Sequence, residues 1–570
     1  MIEWKEFPDN FEEQFSCISK DSPYVTLLKG GYRETVTGGG ITRTVWVYYP
    51  AHMEYSCRNL VLLIPGDQTV DEFLRLTGWD KIAEENDILL LLTGGSPQPF
   101  TDDMENELAF LNALDKARND RRYMDTQRAL TYFAAYGDAA DLGHRMLVRY
   151  PSRYAAAALA GKVQPDEAYL KITGHLPSNC ADIPLCEVPC PIAFASEQSQ
   201  EELSCVLGYW QKANKTECEP YAQQQALVWM PDMSALESPV DHLPVARVVF
   251  LQGSDPFSES FSRALWQKHL SRTCRSTGVM NDDLHPYRTA DEWGLTRQER
   301  EVDGFTRHWY EYVSPRREIL TDGKYPLVVF LHGGSSNGLS GLYSHEWVQV
   351  AKERGLILAL PTGTMRCMSE NMPHPAWNAS HDSIHMDDEK FIRMIVVDIA
   401  QRYPVDLGRV YINGHSMGSA MTQRVALAMP DLFAAAASNS GVIKGGFMGG
   451  VDLPGVREDL KMPVWIQMGE HDVGGGTMEN NPHARSTVEY WLKRADISPE
   501  QKPGQWRSGR YLNKEWQDSQ GVPMVRYTTT LEKPHANSPQ DAWMYYDQFF
   551  CHFSRDENGQ LLYNGKIVEK

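Results

Sequence analysis

The strongest constraint on this chain's fold is that the chain repeats itself. The stretch YINGHSMGSAMTQRVALAMPDLFAAAAS, beginning at Tyr411, has a relative in LTYFAAYGDAADLGHRMLVRYPSRYAAAAL, beginning at Leu130. Counted back without a gap from Pro430 and Pro151, Ser416 falls opposite Gly137. TRTVWVYYPA from Thr42 lies over TRHWYEYVSP from Thr306, and NLVLLIPGD from Asn59 lies over PLVVFLHGG from Pro326. GWDKIAEENDILLLLTGG from Gly78 then lies over EWVQVAKERGLILALPTG from Glu346. The order is the same in both halves, as an internal duplication requires. Each half reads as a β-rich start, a continuous apolar run ending in Gly, an amphipathic helical stretch and a second apolar run. That alternation predicts a mostly parallel sheet covered by helices on both faces. The expected fold class is therefore α/β, with two tandem domains of similar topology, in keeping with a length of 570 residues. The joint is placed in the polar, turn-rich SRTCRSTGVMNDDLHPYRTADEWG, giving domains at 1–270 and 295–570 with a linker at 271–294.

The chemistry points to the second half. RVYINGHSMGSAMTQRVALAM predicts a strand, a sharp turn and a helix, with Ser416 at the turn. This is the context of a G-x-S-x-G elbow, in which Gly414 and Gly418 let strand and helix approach while the serine projects above the sheet. A nucleophilic serine needs a base and a group to orient it, and on such a fold these follow in the order acid, then histidine. Asp472 stands after the predicted strand PVWIQMG, at a carboxyl end where open α/β sheets place their sites, with Glu470 the competing acid. His535 follows the next strand, with His483 and His552 as alternatives. Two N–H donors are needed for a tetrahedral oxyanion: the backbone of Met417, and one from the HGGSS loop, Gly334 or Ser335.

The first half lacks these groups. His332-Gly333-Gly334 becomes Pro65-Gly66-Asp67, Ser416 becomes Gly137 with Asp138 next to it, Gln200 falls near Asp472, and ARVVFLQGSDPFSES has no histidine. The expectation is a non-catalytic copy.

PLVVFLHGG, PAWN at 375–378, HMDDEKFIRMIVVDIAQRYPVDLGRVYINGHSMGSAM and PDLFAAAASNSG together resemble the polyhydroxybutyrate depolymerase-like and feruloyl esterase-like branch of the α/β-hydrolases, over about residues 305 to 550. The resemblance implies an α/β-hydrolase-like second domain and does not itself cover a tandem; joined to the internal duplication, it leads to two tandem α/β-hydrolase-like domains, the first degenerate, as the expectation. It also implies a carboxylic ester hydrolase with Ser416, Asp472 and His535 as triad. The family commonly has a cysteine where this chain has Gly334, a departure that weighs against polyester substrates more than against small esters. An insertion after LILALP carries Met365, Met368, Met372, Trp377 and Asn378; Trp377, Asn378 and His415 are the candidate substrate-binding residues.

Other signals are weaker. The net charge of −20 argues against nucleic acid, and no apolar run reaches membrane-spanning length. The expected partner is a small or carbohydrate-linked ester, a homo-oligomer being compatible with the sequence, and no cofactor is implied. The opening MIEWKEFPDNFEEQ lacks the pattern of a secretory signal, so a cytoplasmic protein is expected, or a secreted one whose leader has been removed. Cys186 and Cys190 have no second close pair with histidine, so free thiols are expected and no metal. His381 and His385 could share a helical face as metal ligands, but Asp387 or Asp388 as a helix N-cap is the favoured reading there. Gly474-Gly475-Gly476 is expected as a mobile rim of the active site.

Overall fold

The computed structural model describes residues 2–8, 28–53, 57–119, 126–178, 183–216, 219–223, 226–231, 246–275, 284–366, 374–380, 386–443 and 455–568. Two compact units divide between Arg288 and Thr289. In the first, β1 (Trp4–Glu6), β2 (Gly30–Gly38), β3 (Ile41–Tyr49), β4 (Cys57–Ile64), β5 (Ile88–Gly94), β6 (Thr126–Tyr136), β7 (Ala156–Ala160), β8 (Ile192–Ser196), β9 (Tyr221–Gln223), β10 (Ala226–Trp229) and β11 (Val248–Gln252) make one sheet. Its order is β1-β2-β3-β5-β4-β6-β7-β8-β11-β10-β9. A separate pair, β12 (Thr273–Arg275) and β13 (Leu284–Pro286), follows.

The second unit contains β14 (Thr296–Val302), β15 (Phe305–Val313), β16 (Tyr325–Leu331), β17 (Ile357–Pro361), the short pair β18 (Thr364–Arg366) and β19 (His374–Ala376), β20 (Val405–His415), β21 (Ala435–Asn439), β22 (Val464–Gly469), β23 (Gly504–Ser508), β24 (Tyr511–Gln517), β25 (Pro523–Thr530) and β26 (Phe553–Arg555). The sheet order is β14-β15-β17-β16-β20-β21-β22-β25-β24-β23. Apart from the extra β1, this is the order of the first unit strand for strand. In both units the six central strands run parallel. They are buried along almost their whole length, as helices on both faces require. The fold is two tandem α/β-hydrolase-like domains.

Part of the segment expected as a linker belongs to this repeat. The Tyr132 hydroxyl donates to the Thr273 carbonyl at 2.9 Å, just as Tyr411 donates to Phe553 at 2.8 Å. Buried Arg275 donates to the carbonyls of Tyr154 and Pro189, and buried Arg555 to those of Phe433 and Lys461. Burying an arginine against main-chain carbonyls ties β12 to the first unit as firmly as β26 to the second, so a polar composition here reflects hydrogen bonding inside the fold.

In the second unit the chain enters β17 on one side of β16 and β20 on the other, so the sheet order reverses between β16 and β20. Open α/β sheets bind ligands outside the carboxyl ends of the strands at such a point. No described helix is long and apolar enough to cross a membrane.

Several buried histidines are held neutral by the fold. Burial pushes His308 and His345 down to about 3 and His332 down to about 4. In the unfolded chain these groups take up protons below about pH 6.5, whereas in the fold they do not, so stability falls as pH drops from there toward the folded values. Each is expected to remove about 1 kcal/mol per pH unit. Urea midpoints at about pH 7 and about pH 5.5 should show this loss, and His345→Phe, whose ring replaces an imidazole packed 4.6 Å from Phe330, should reduce it.

Candidate active site

Ser416 joins β20 to the helix Met417–Ala428 with φ 53 and ψ −115, a left-handed conformation that costs a non-glycine residue about 1–3 kcal/mol. Its N–H is held by the Asn439 carbonyl at 2.9 Å. The two glycines around it have no room for a side chain. A Cβ on Gly414 would lie 2.3 Å from the Gly418 carbonyl oxygen, and one on Gly418 would lie 2.1 Å from that of Leu331. Close approach of strand and helix therefore forces the serine outward, at the carboxyl end of β20.

Two further strand ends bring groups to the same place. His535, in the loop after β25, has Nε2 2.8 Å from Ser416 Oγ and Nδ1 2.5 Å from Asp472 Oδ1, in the loop after β22. With a proton on Nδ1 directed to the carboxylate, Nε2 is left to accept from the serine hydroxyl. Asp472 also accepts from the Val473 and Gly469 N–H groups at 2.8 and 3.3 Å. Burial pushes its carboxyl up, but the hydrogen bond and charge of His535, helped by Ser440 and Lys533, outweigh this and hold it below the ordinary range.

The competing groups are engaged elsewhere. Glu470 accepts from the Glu532 N–H, His483 lies in the first turn of the helix Pro482–Arg494, and His552 Nδ1 lies 2.8 Å from Asn564 Oδ1.

Of the two donors weighed in the HGGSS loop, the Ser335 N–H is donated to the Pro375 carbonyl at 2.9 Å. Met417 opens its helix, so its N–H has no partner within the helix and adds the positive end of the helix dipole. Gly333 packs against the elbow: a Cβ there would be 3.1 Å from His415 Nδ1 and 3.5 Å from Ser416 Cβ.

The candidate substrate-binding residues do different work. Trp377 is fully buried and donates Nε1–H to the His332 carbonyl at 2.8 Å, with its ring 5.0 Å from that of His332. His332 in turn accepts from the Gly363 N–H at 2.9 Å, so the pair fixes the loop before Gly333 and Gly334. Asn378 is 3% exposed; its N–H reaches buried Asp388, which pairs with buried Arg307 at 2.7 Å, and its side-chain amide donates to the Met386 carbonyl. His415 has an Nε2 sealed from solvent with no hydrogen-bond partner, and burial, then the neighbouring His535, keep it neutral. These contacts tie the described residues 374–380 of the insertion to His332 and to the start of the helix Asp388–Arg402. Trp377→Phe should leave the His332 carbonyl unsatisfied, a loss of about 1 kcal/mol in loop order. Steady-state kinetics should then show kcat down about tenfold with KM little changed.

The helix Asp388–Arg402 is capped by Asp387, which accepts from the Lys390 N–H at 3.0 Å. His381, His385, Met368 and Met372 lie outside the described residues, as does the Met365 side chain. Among the described residues no group of three or more histidine, cysteine or carboxylate side chains could hold a metal, and Cys186 and Cys190 are buried free thiols. The glycine run after Asp472 is tied down: the Gly476 carbonyl accepts from Tyr527 and Thr529 at 2.9 and 2.7 Å. Val473 and Gly474 are exposed, while Gly476 is buried.

One group was missed by sequence reading. Lys533, two residues before His535, is fully buried with Nζ 2.9 Å from Asn439 Oδ1 and 3.7 Å from Asp541 Oδ2. Asp541 is buried too and accepts from the Ser538 N–H, Asn439 and Gln467. A lysine and an aspartate eight residues apart in a polar loop carry no periodic signal of burial.

In the first unit the elbow position is Gly137, with φ 57. Asp138 accepts from the Gly66 N–H at 2.9 Å, which sets a carboxylate against the loop that corresponds to His332-Gly333-Gly334.

No family model and no curated protein matches the chain. Among solved structures, it is similar to the acetyl xylan esterase from Aspergillus awamori at 17% identity and TM-score 0.35, over 45% of this chain and 99% of that one. It is similar to an S-formylglutathione hydrolase from Agrobacterium tumefaciens at 16% identity and TM-score 0.32, over 46% and 94%. A mutant feruloyl esterase module from Clostridium thermocellum, complexed with sinapinate, matches at 13% identity and TM-score 0.30, over 48% and 93%.

Proposed function

We propose that the second unit is a serine hydrolase acting on carboxylic esters through an acyl-enzyme. The observation that carries this reading is the unbroken hydrogen-bonded chain from Ser416 through His535 to Asp472 at the carboxyl ends of β20, β25 and β22. His535 takes the serine proton as Oγ attacks the ester carbonyl. The N–H groups of Met417 and Gly334 hold the oxyanion, and Asp472 stabilises the imidazolium. His535 then returns the proton to the leaving alcohol and activates the water that releases the acid.

Small or aromatic esters are the proposed substrates, on the resemblance of the motifs at 326–334, 375–378 and 409–420. The first unit is proposed to be silent: it lacks the serine, and Asp138 already occupies an N–H of the corresponding loop. The test is hydrolysis of short p-nitrophenyl esters, methyl hydroxycinnamates and a matched amide by the full chain. Ester turnover well above amide turnover supports the reading, and the preferred acyl group names the substrate class. Absence of all three activities, with no fluorophosphonate labelling of Ser416, would sink it.

A further inference from the structure

The nucleophile and its base ride on strands that are not neighbours. Ser416 follows β20 and His535 follows β25, with β21 and β22 between them in the sheet. At the usual spacing of adjacent strands, β20 and β25 are about 14 Å apart. The loop after β25 must therefore reach back over the ends of β22 and β21 before Nε2 can meet Oγ.

Acid and base are tied directly. The His471 N–H, beside Asp472, donates to the carbonyl of Lys533, two residues before His535, at 2.9 Å. Nucleophile and base are tied through Asn439, the last residue of β21. Its carbonyl accepts from the Ser416 N–H at 2.9 Å. Its side chain holds the histidine loop on both sides of His535: Oδ1 accepts from Lys533 Nζ at 2.9 Å, and Nδ2 donates to Asn537 Oδ1 at 3.1 Å. Nδ2 also donates to Asp541 Oδ2 at 3.1 Å, and Oδ1 lies 3.1 Å from the Ser440 hydroxyl. Asn439 is fully buried, and its amide uses both donors and both acceptor sites. Its orientation is fixed too, since a flip would turn the NH2 group onto the Lys533 ammonium and the oxygen onto the Asp541 carboxylate.

The sheet stands without this arrangement in the first unit. The gapless match that sets Gly137 opposite Ser416 sets Ala160 opposite Asn439. Ala160 pairs with Tyr136 and Ala195, as Asn439 pairs with His415 and Gln467. Ala195 thus stands for Gln467, which donates to Asp541 at 2.9 Å and accepts from the Tyr545 hydroxyl at 2.6 Å, and Ala193 stands for Trp465. Counting back from Thr273 and Phe553, which accept from Tyr132 and Tyr411, His269, Leu265 and Phe261 stand for Phe549, Tyr545 and Asp541. The copy without the serine and the histidine keeps the strand order with alanine, leucine and phenylalanine in place of the network. The network accompanies the triad, not the sheet.

Given the serine hydrolase reading, on which this rests, we propose that Asn439 is a positioning residue that sets the reach between Ser416 and His535. It grips the nucleophile by its backbone and the base by its side chain. Sealed from solvent, it acts through the 2.8 Å contact of Oγ with Nε2, and misplacing reacting groups by about 1 Å costs about a hundredfold in rate.

The test follows p-nitrophenyl acetate hydrolysis and, separately, the rate at which a fluorophosphonate labels Ser416, both in the full chain. Labelling reads attack by the serine without turnover. Asn439→Ala is expected to lower kcat and the labelling rate about a hundredfold, with KM within about twofold of wild type. Asn537→Ala covers the case in which Asn439→Ala fails to fold: it releases one grip on the histidine loop and should lower both rates about tenfold. Asn537→Asp keeps an acceptor for Nδ2 and should recover most of the rate. A purely structural role would shift the urea midpoint and leave the rates of the folded chain alone. Wild-type rates in folded Asn537→Ala or folded Asn439→Ala, or a loss confined to KM, overturn the inference and leave the hydrolase reading standing. A wild type that neither hydrolyses the ester nor is labelled brings down both.

Discussion

Replacing Ser416 with alanine is expected to lower ester kcat by a factor on the order of 10⁵ while leaving KM and the fold almost unchanged. Size comes from function: without Oγ there is no acyl-enzyme, and only the oxyanion donors and substrate binding remain. The unchanged fold follows from position. Ser416 anchors through its backbone N–H to Asn439, which alanine keeps, and removing a hydroxyl leaves no buried donor unpaired on the solvent side of the elbow. His535→Ala should cost nearly as much, and the double variant no more than either alone, because the two groups act as one unit. Residual turnover near the wild-type level would put the nucleophile elsewhere, and the first unit would then be the place to look.

The second large effect is on stability. Asp541→Ala should destabilise the second unit by about 3–5 kcal/mol, the usual consequence of leaving one member of a buried ion pair alone. Lys533 is 0% exposed, so its ammonium is left buried without that carboxylate. Burial already holds its ammonium below the ordinary lysine range, although Asp541 and Asp472 act in the opposite direction. Asp541 also accepts from the Tyr511 hydroxyl and Gln467, so its loss orphans several donors at once. Asp541→Asn keeps the shape but not the charge and should fall between. Replacing both residues, Lys533→Met with Asp541→Leu, should recover part of the loss, since it removes the uncompensated ammonium while the donors to Asp541 stay unpaired. Denaturant unfolding of the three variants reads this directly. Equal stability of Asp541→Ala and wild type would show that the pair contributes nothing.

The legible part of this structure was what periodicity and chain order carry. Repeated apolar runs announce two parallel sheets, and Ser416, Asp472 and His535 stand at predicted strand ends in the order that such a sheet brings together. Side-chain direction is the part that was not legible. Trp377 in an insertion could face a substrate or the core with identical sequence, and the deciding contact, with the His332 carbonyl, joins residues 45 positions apart. The Ser335 N–H is engaged by the Pro375 carbonyl, a backbone hydrogen bond that no residue pattern encodes. The buried network around Lys533 draws on β21, β22, β24, the loop after β25 and the helix Asp541–Gln548, so its members are scattered among ordinary polar positions. At the joint, a polar, turn-rich stretch was read as a linker, where Arg275 serves main-chain carbonyls.

The matched strand order of the two units also bears on how the chain reaches its native state. Tandem copies of one topology are prone to pair strands across copies while folding, since backbone ladders do not distinguish one β7 neighbour from another. Discrimination must come from the side chains that meet at each register. A strand bearing Trp465 delivered into the first copy would meet His269 and Leu265 in place of Phe549 and Tyr545, while Ala193 delivered into the second would remove the Trp465 ring that lies 4.3 Å from the Arg526 guanidinium. Divergence of the two cores thus acts as an address label, keeping each strand with its own sheet.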